Sequence, residues 1–171
     1  MIRFKIINLL FVMNTVTIWT DGSCLHNPGP GGWAFIIEYQ DIEYEVSCCS
    51  DGTTTNNEME LTAIIKALEF LYNHDNHDNH DIPHNKLNKI SVMSDSNYAV
   101  CGINEWIDRW IQSASKSKPR PNWTLWKKLY SLKNTIVKKA NLSFKWVKAH
   151  STNEMNNRVD KLARQRAEEN N

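Results

Sequence analysis

The period of the hydrophobic pattern changes along this chain, and the order of those changes restricts what it can fold into. Val16–Thr20 is a β-rich apolar run that stops at Asp21-Gly22. Trp33–Tyr39 and Ile42–Cys49 then read as two antiparallel strands joined by a tight turn near Gln40-Asp41, and Asp51-Gly52 closes the meander. The stretch Asn27–Gly32, NPGPGG, is turn chemistry, with prolines presetting φ and glycines permitting positive φ. From Asn57 to Tyr72 the period becomes helical, with Leu61, Ile64, Ile65, Leu68 and Leu71 on one face. Thr55 or Asn56 can cap that helix, and Glu58 stands three positions after Thr55, as in a capping box. Lys89–Ser94 reads as a buried strand ending at Asp95, Asn97–Ile111 and Trp123–Lys139 as helices, Leu142–Lys148 as a last strand and Asn156–Glu169 as a last helix. The order βββαβααβα predicts an α/β fold, a five-stranded mixed sheet flanked by helices. Its 171 residues suit one domain with a sizeable core.

Four acids stand where that pattern can bring them together. Asp21 and Asp95 follow strand-like runs, Glu60 lies in the first turn of the Asn57–Tyr72 helix, and Asp160 lies ten residues after His150. Carboxylates gathered at one site repel by roughly 1–4 kcal/mol per close pair unless a cation separates them. An all-oxygen donor set beside a phosphate suits Mg²⁺. The expected chemistry is metal-dependent phosphodiester hydrolysis.

The charge is unevenly spread. Residues 1–108 carry 5 Lys/Arg against 15 Asp/Glu, whereas 109–153 carry 11 Lys/Arg and no acid. A basic segment beside an acidic half is the asymmetry expected of a nucleic-acid binder. Cys24, Cys48, Cys49 and Cys101 have no metal-ligand spacing and read as free thiols, which places the chain in the cytoplasm or another reducing compartment; Cys24 and Cys101 are expected to be buried. Residues 1–14 form a basic, apolar extension too short to span a bilayer, so no membrane partner is expected. A signal-peptide core without a cleavage site, an import segment, a plain extension and a start at Met13 stand as alternative readings of it. The triplets NHDNHDNHD open an insertion at 73–88 whose His74, His77, His80 and His84 offer transition-metal ligands, although the composition reads as a low-complexity surface segment.

Four blocks, DGSCLHNPGPGGWAF, TTNNEMELTAIIKALE, SDSNYAVCGINEWI and WVKAHSTNEMNNRVDKLAR, occur in this order. Together they closely resemble type 1 ribonuclease H, an endonuclease that cuts the RNA strand of RNA–DNA hybrids. The resemblance runs from about Val16 to Ala167 and implies a ribonuclease H-like domain over 15–169. It implies that Asp21, Glu60, Asp95 and Asp160 are the catalytic metal ligands for two Mg²⁺ ions, with Mn²⁺ as a substitute, Asp21 bridging both. It makes His150 a proton-transfer residue, a task that suits histidine. Gly22, Asn27, Asn56, Asn57 and Asn97 match positions lining the minor groove, where contacts to the 2′-hydroxyl tell RNA from DNA. Thr55 and Asn122 match a DNA-phosphate pocket, and Trp106 and Trp126 match tryptophans that flank the DNA strand. Trp110, Trp19, Trp33 and Trp146 are assigned to packing.

Two departures bear on substrate grip. The Arg usual two positions before the pocket threonine is Thr53 here, which removes a bidentate phosphate donor. The loop Gln112–Asn122 corresponds to the family's basic handle and is shortened, though it keeps Lys116, Lys118 and Arg120, so binding should stay salt-sensitive. The partner expected is an RNA–DNA hybrid, bound by a monomer with low processivity.

Overall fold

The first three strands pair in the order in which they are made, and the fourth inserts beside the first. In the computed structural model, which describes residues 14–72, 82–83, 86–113 and 120–170, β1 (Thr15–Cys24), β2 (Gly29–Tyr39) and β3 (Ile42–Thr54) form an antiparallel meander. After α1 (Asn56–Tyr72), β4 (Lys89–Ser94) runs parallel to β1. The chain then passes through α2 (Asn97–Cys101), a π-helical turn (Gly102–Trp106), α3 (Ile107–Ser113) and α4 (Trp123–Ile136). It returns as β5 (Asn141–Trp146), parallel to β4, and ends in α5 (Glu154–Glu169). The strand order is β3-β2-β1-β4-β5, the expected five-stranded mixed sheet. No helix among the described residues is long and apolar enough to cross a membrane. Residues 1–13, the histidines of the insertion, and Lys116 and Lys118 lie outside the described residues.

The two-residue period of β2 divides the core. Phe35 and Ile37 face α1 and α4 in the larger cluster, with Val16, Ile18, Leu61, Ile64, Leu68 and Trp126. Ala34 and Ile36 face α5, against Val159 and Ala163. Burying each large aliphatic side chain contributes about 1.5–3 kcal/mol, so the α1 side carries most of the stability. The α5 side buries a smaller apolar set and adds partly exposed ion pairs, those of the Arg158 guanidinium with Glu43 and Glu45 on β3.

Several boundaries differ from the expectation, and most lie at the site end of the sheet. β1 continues through Asp21-Gly22 to Cys24, and β2 starts at Gly29, because the glycine-rich segment pairs with it, Ser23 with Gly32 and Cys24 with Gly31. The turn is therefore confined to Leu25–Pro28, and the Leu25 N–H donates to the Pro30 carbonyl at 2.8 Å. β3 likewise runs past Asp51-Gly52 to Thr54, which pairs with Gly29. The helix read over Asn97–Ile111 widens by one π turn at Gly102, where a side chain would have its Cβ 2.1 Å from the Trp126 ring. α4 ends at Ile136 and β5 at Trp146, both short of expectation, and α5 starts two residues early because Asn153 caps it.

Candidate active site

Each of the four acids arrives on a different element. Asp21 lies within the central strand β1, opposite Ala34, rather than at a strand end. Glu60 lies in the second turn of α1, and Thr55 sets the start of that helix. The Glu58 N–H donates to Thr55 Oγ1 at 3.3 Å, and the Thr55 N–H donates to Glu58 Oε2 at 3.0 Å, a reciprocal capping box. Thr55, not Asn56, is thus the cap. Asp95 follows the last residue of β4, and Asp160 projects from α5.

Gly22 lets α1 approach β1. A Cβ at this position would lie 2.2 Å from the backbone N of Glu60, so any other residue would push Glu60 away from Asp21. The result is a tight acidic cluster: one carboxylate oxygen from each of Asp21, Glu60 and Asp95 lies within 4.8 Å of the other two. Asp21 and Glu60 are each only 5% exposed. Asp160 is half-buried and lies beside Asp21 in the same pocket, an open cavity of about 380 Å³ that His150, Asn56, Asn57 and Asn97 also line.

Burial first, then the charges of Asp95 and Asp160, holds the Asp21 carboxyl well above the usual carboxylate range. Burial first, then Asp21 and Asp95, does the same for Glu60. The Gly22 backbone N–H opposes both shifts by favouring the ionised forms. Glu60 Oε2 is buried with no hydrogen-bond partner. Two buried acids whose pKa values are raised by burial and by neighbouring carboxylates, one with an orphaned oxygen, form with Asp95 a donor set that fits a hard divalent cation.

The remaining predicted residues divide by position. Asn27 accepts from the Asn56 N–H at 3.0 Å, so the β1–β2 loop is pinned to the start of α1 beside the pocket. Asn57 and Asn97 are exposed on the pocket wall, and His150 is exposed at its rim in a left-handed turn with φ of 46°. Thr55 keeps its hydroxyl and N–H on Glu58. Asn122 takes φ of 59° just before α4, and its Nδ2 lies 3.5 Å from the Tyr98 hydroxyl.

The tryptophans need correction. Trp126 is 0% exposed, and its Nε1 donates to the Tyr98 hydroxyl at 2.9 Å, so it belongs to the core and has no face to offer a DNA strand. The half-buried pair is Trp106 and Trp110, 5.5 Å apart, with the Arg120 guanidinium 4.8 Å from the Trp110 ring centroid. Helical spacing alone could not tell which of the three the core would take. Trp146, assigned to packing, is 49% exposed and donates from Nε1 to the Asp95 carbonyl at 3.0 Å. Cys24 and Cys101 are half-buried rather than buried.

Sequence reasoning missed Asn156. Its Nδ2 donates to Asp95 Oδ2 at 3.0 Å from one turn ahead of Asp160 on α5. The available signal was its spacing: four residues before Asp160, it shares that acid's helical face.

A family model, RNase H, matches residues 13–168. The ribonuclease H of Campylobacter jejuni subsp. jejuni serotype O:23/36 (strain 81-176) is 39% identical over 155 residues, covering 91% of this chain and 92% of that protein. That of Orientia tsutsugamushi (strain Boryong) is 40% identical over 151 residues, covering 86% and 79%. Among solved structures, LC11-RNase H1 in complex with an RNA/DNA hybrid superposes with a TM-score of 0.61 at 27% identity, covering 90% of this chain and 97% of that one.

Proposed function

The chain belongs to the ribonuclease H family, and from that premise we propose that it hydrolyses the RNA strand of RNA–DNA hybrids with two divalent cations, Mg²⁺ by preference. The observation that carries this reading is the convergence of Asp21, Glu60 and Asp95, with Asp160 and His150 on the same pocket. The four acids would hold the cations, with Asp21 supplied by the central strand. When bound, the cations supply Lewis-acid stabilisation of charge on the scissile phosphate and lower the pKa of the attacking water.

The residues of the chain do the rest. Burial first, and then neighbouring carboxylates, raise the pKa values of Asp21 and Glu60, and a bound cation would offset both and favour the ionised forms. Water attacks phosphorus, the bond to the 3′ oxygen breaks, and that oxygen takes a proton, giving 5′-phosphate and 3′-hydroxyl ends. His150, exposed at the rim, is the group suited to carry that proton.

Asn57 and Asn97 on the pocket wall, Asn56 beside them and Asn27 behind offer amides to the 2′-hydroxyls, and the Gly22 backbone adds a contact next to the acids. The Trp106–Trp110 pair and Arg120 offer an aromatic and cationic surface to the DNA strand, with Thr55 and Asn122 as its phosphate contacts. Four cysteines without a disulfide are in keeping with a reducing compartment.

The test is cleavage of one labelled RNA strand presented single-stranded, in duplex RNA and paired with DNA, each with Mg²⁺ and with EDTA, beside Asp95→Asn. Cutting of the hybrid alone, by wild type alone and with metal alone, is expected. Tight hybrid binding without cutting would leave a binding module, and cutting of all three substrates would point to a different nuclease.

A further inference from the structure

Asn156 is a costly residue for its position. It is 1% exposed, and its Oδ1 is buried without a partner, a combination that destabilises a folded chain. Its own helix does not need the side chain, because Asn153 Oδ1 already accepts from the Asn156 N–H at 3.1 Å and caps α5. What the carboxamide does is donate from Nδ2 to Asp95 Oδ2 at 3.0 Å. The main chain of Asp95 is held as well, through its carbonyl, by Trp146 Nε1 at 3.0 Å. One carboxylate of the cluster is therefore gripped by β5 through its backbone and by α5 through its side chain.

We propose that Asn156 is a positioning residue: its buried amide orients the Asp95 carboxylate for cation binding and ties the helix that carries Asp160 to the strand end that carries Asp95. The inference rests on the metal-dependent reading above. A carboxylate with one oxygen committed to a neutral donor meets a cation from a fixed direction and loses little freedom on binding it. Partners of this kind typically change metal affinity or activity by about 10–100-fold.

The test uses the full chain as wild type, Asn156→Ala, Asp95→Asn and the double variant. Mn²⁺ is titrated calorimetrically without substrate, the Mg²⁺ dependence of hybrid cleavage is recorded, and melting is followed in EDTA. Asn156→Ala is expected to raise the Mn²⁺ Kd and the half-saturating Mg²⁺ concentration by about 10-fold or more. The same change made on Asp95→Asn is expected to alter the Mn²⁺ Kd less than about twofold, because the carboxylate it would orient is gone. Should Asn156→Ala not fold, Asn156→Ser carries the same expectations.

Wild-type Mn²⁺ affinity in the single variant would overturn the proposal, as would an equal loss on both backgrounds, which would mark a purely structural role. A wild type that cuts hybrids in EDTA and binds no Mn²⁺ would overturn the metal reading itself, and this inference with it. That result is distinct from a metal-dependent wild type whose variant matches it.

Discussion

The helices on the two faces of the sheet deliver one acid each, and they are buried to different extents. In α1, ten of seventeen residues are buried, Glu60 among them, and the apolar stripe from Leu61 to Leu71 locks the helix to β1 and β2. In α5, four of sixteen are buried, packing on Ala34 and Ile36, and partly exposed ion pairs run from Arg158 to β3. Glu60 is consequently held rigidly and away from water, whereas Asp160 is half-exposed at a wetter boundary. The proposed two-cation site would use both kinds, the cluster acids setting the geometry before binding and the outer one adjusting as substrate enters and product leaves.

The comparison breaks most visibly in the rates. Asp21→Asn or Asp95→Asn is expected to lower the hybrid-cleavage rate by on the order of 10³-fold or more, because each removes a ligand from the tight cluster. Asp160→Asn should cost less, about 10–100-fold, since Asp160 stands outside that tight cluster and water can take its place. Single-turnover assays at saturating Mg²⁺ would decide, and equal losses would erase the distinction between inner and outer acids.

Stability should divide the same way. Leu68→Ala on α1 removes a fully buried side chain and is expected to cost about 2–5 kcal/mol. Arg158→Ala on α5 breaks partly exposed pairs and is expected to cost less than about 1 kcal/mol. Urea denaturation of the two variants measures both. At the rim, His150→Ala should slow turnover by about 10-fold without abolishing it, read as kcat on the hybrid. An unchanged kcat would remove His150 from the proton path.

The smallest expected effect concerns pH in the absence of metal. The folded pKa values of Asp21 and Glu60 are raised above their unfolded values, so between the two the folded state holds more protons. Stability in EDTA must then fall as pH rises from the ordinary carboxylate range through the raised values. Melting temperature should decline by a few degrees as pH rises above the ordinary carboxylate range, the decline should flatten in Asp21→Asn, and Mg²⁺ should reverse it. A flat wild-type profile in EDTA would mean that the buried acids do not repel as their placement implies.

Much of this molecule could be read before folding. The strand and helix order, the apolar face of α1, the Thr55–Glu58 cap and all four acids follow from local periodicity and motif, because those signals lie within a turn or two of chain. Strand ends at the site were harder. Glycine and proline in Gly29–Gly32 have turn propensity, and only pairing with β1 and β3 makes them strand. The fates of Trp106, Trp110, Trp126 and Trp146 were equally out of reach, since each depends on what another element packs against it.

The sequence by itself determined which carboxylates are available and on which elements they stand, because residue types can be read wherever they occur. The separations of Asp21, Glu60 and Asp95, the raised pKa values of Asp21 and Glu60 and the grip of Asn156 on Asp95 were decided only when β1, α1, β4 and α5 met. Distance, burial and hydrogen-bond direction are properties of pairs of residues far apart in the chain, and no residue carries them alone.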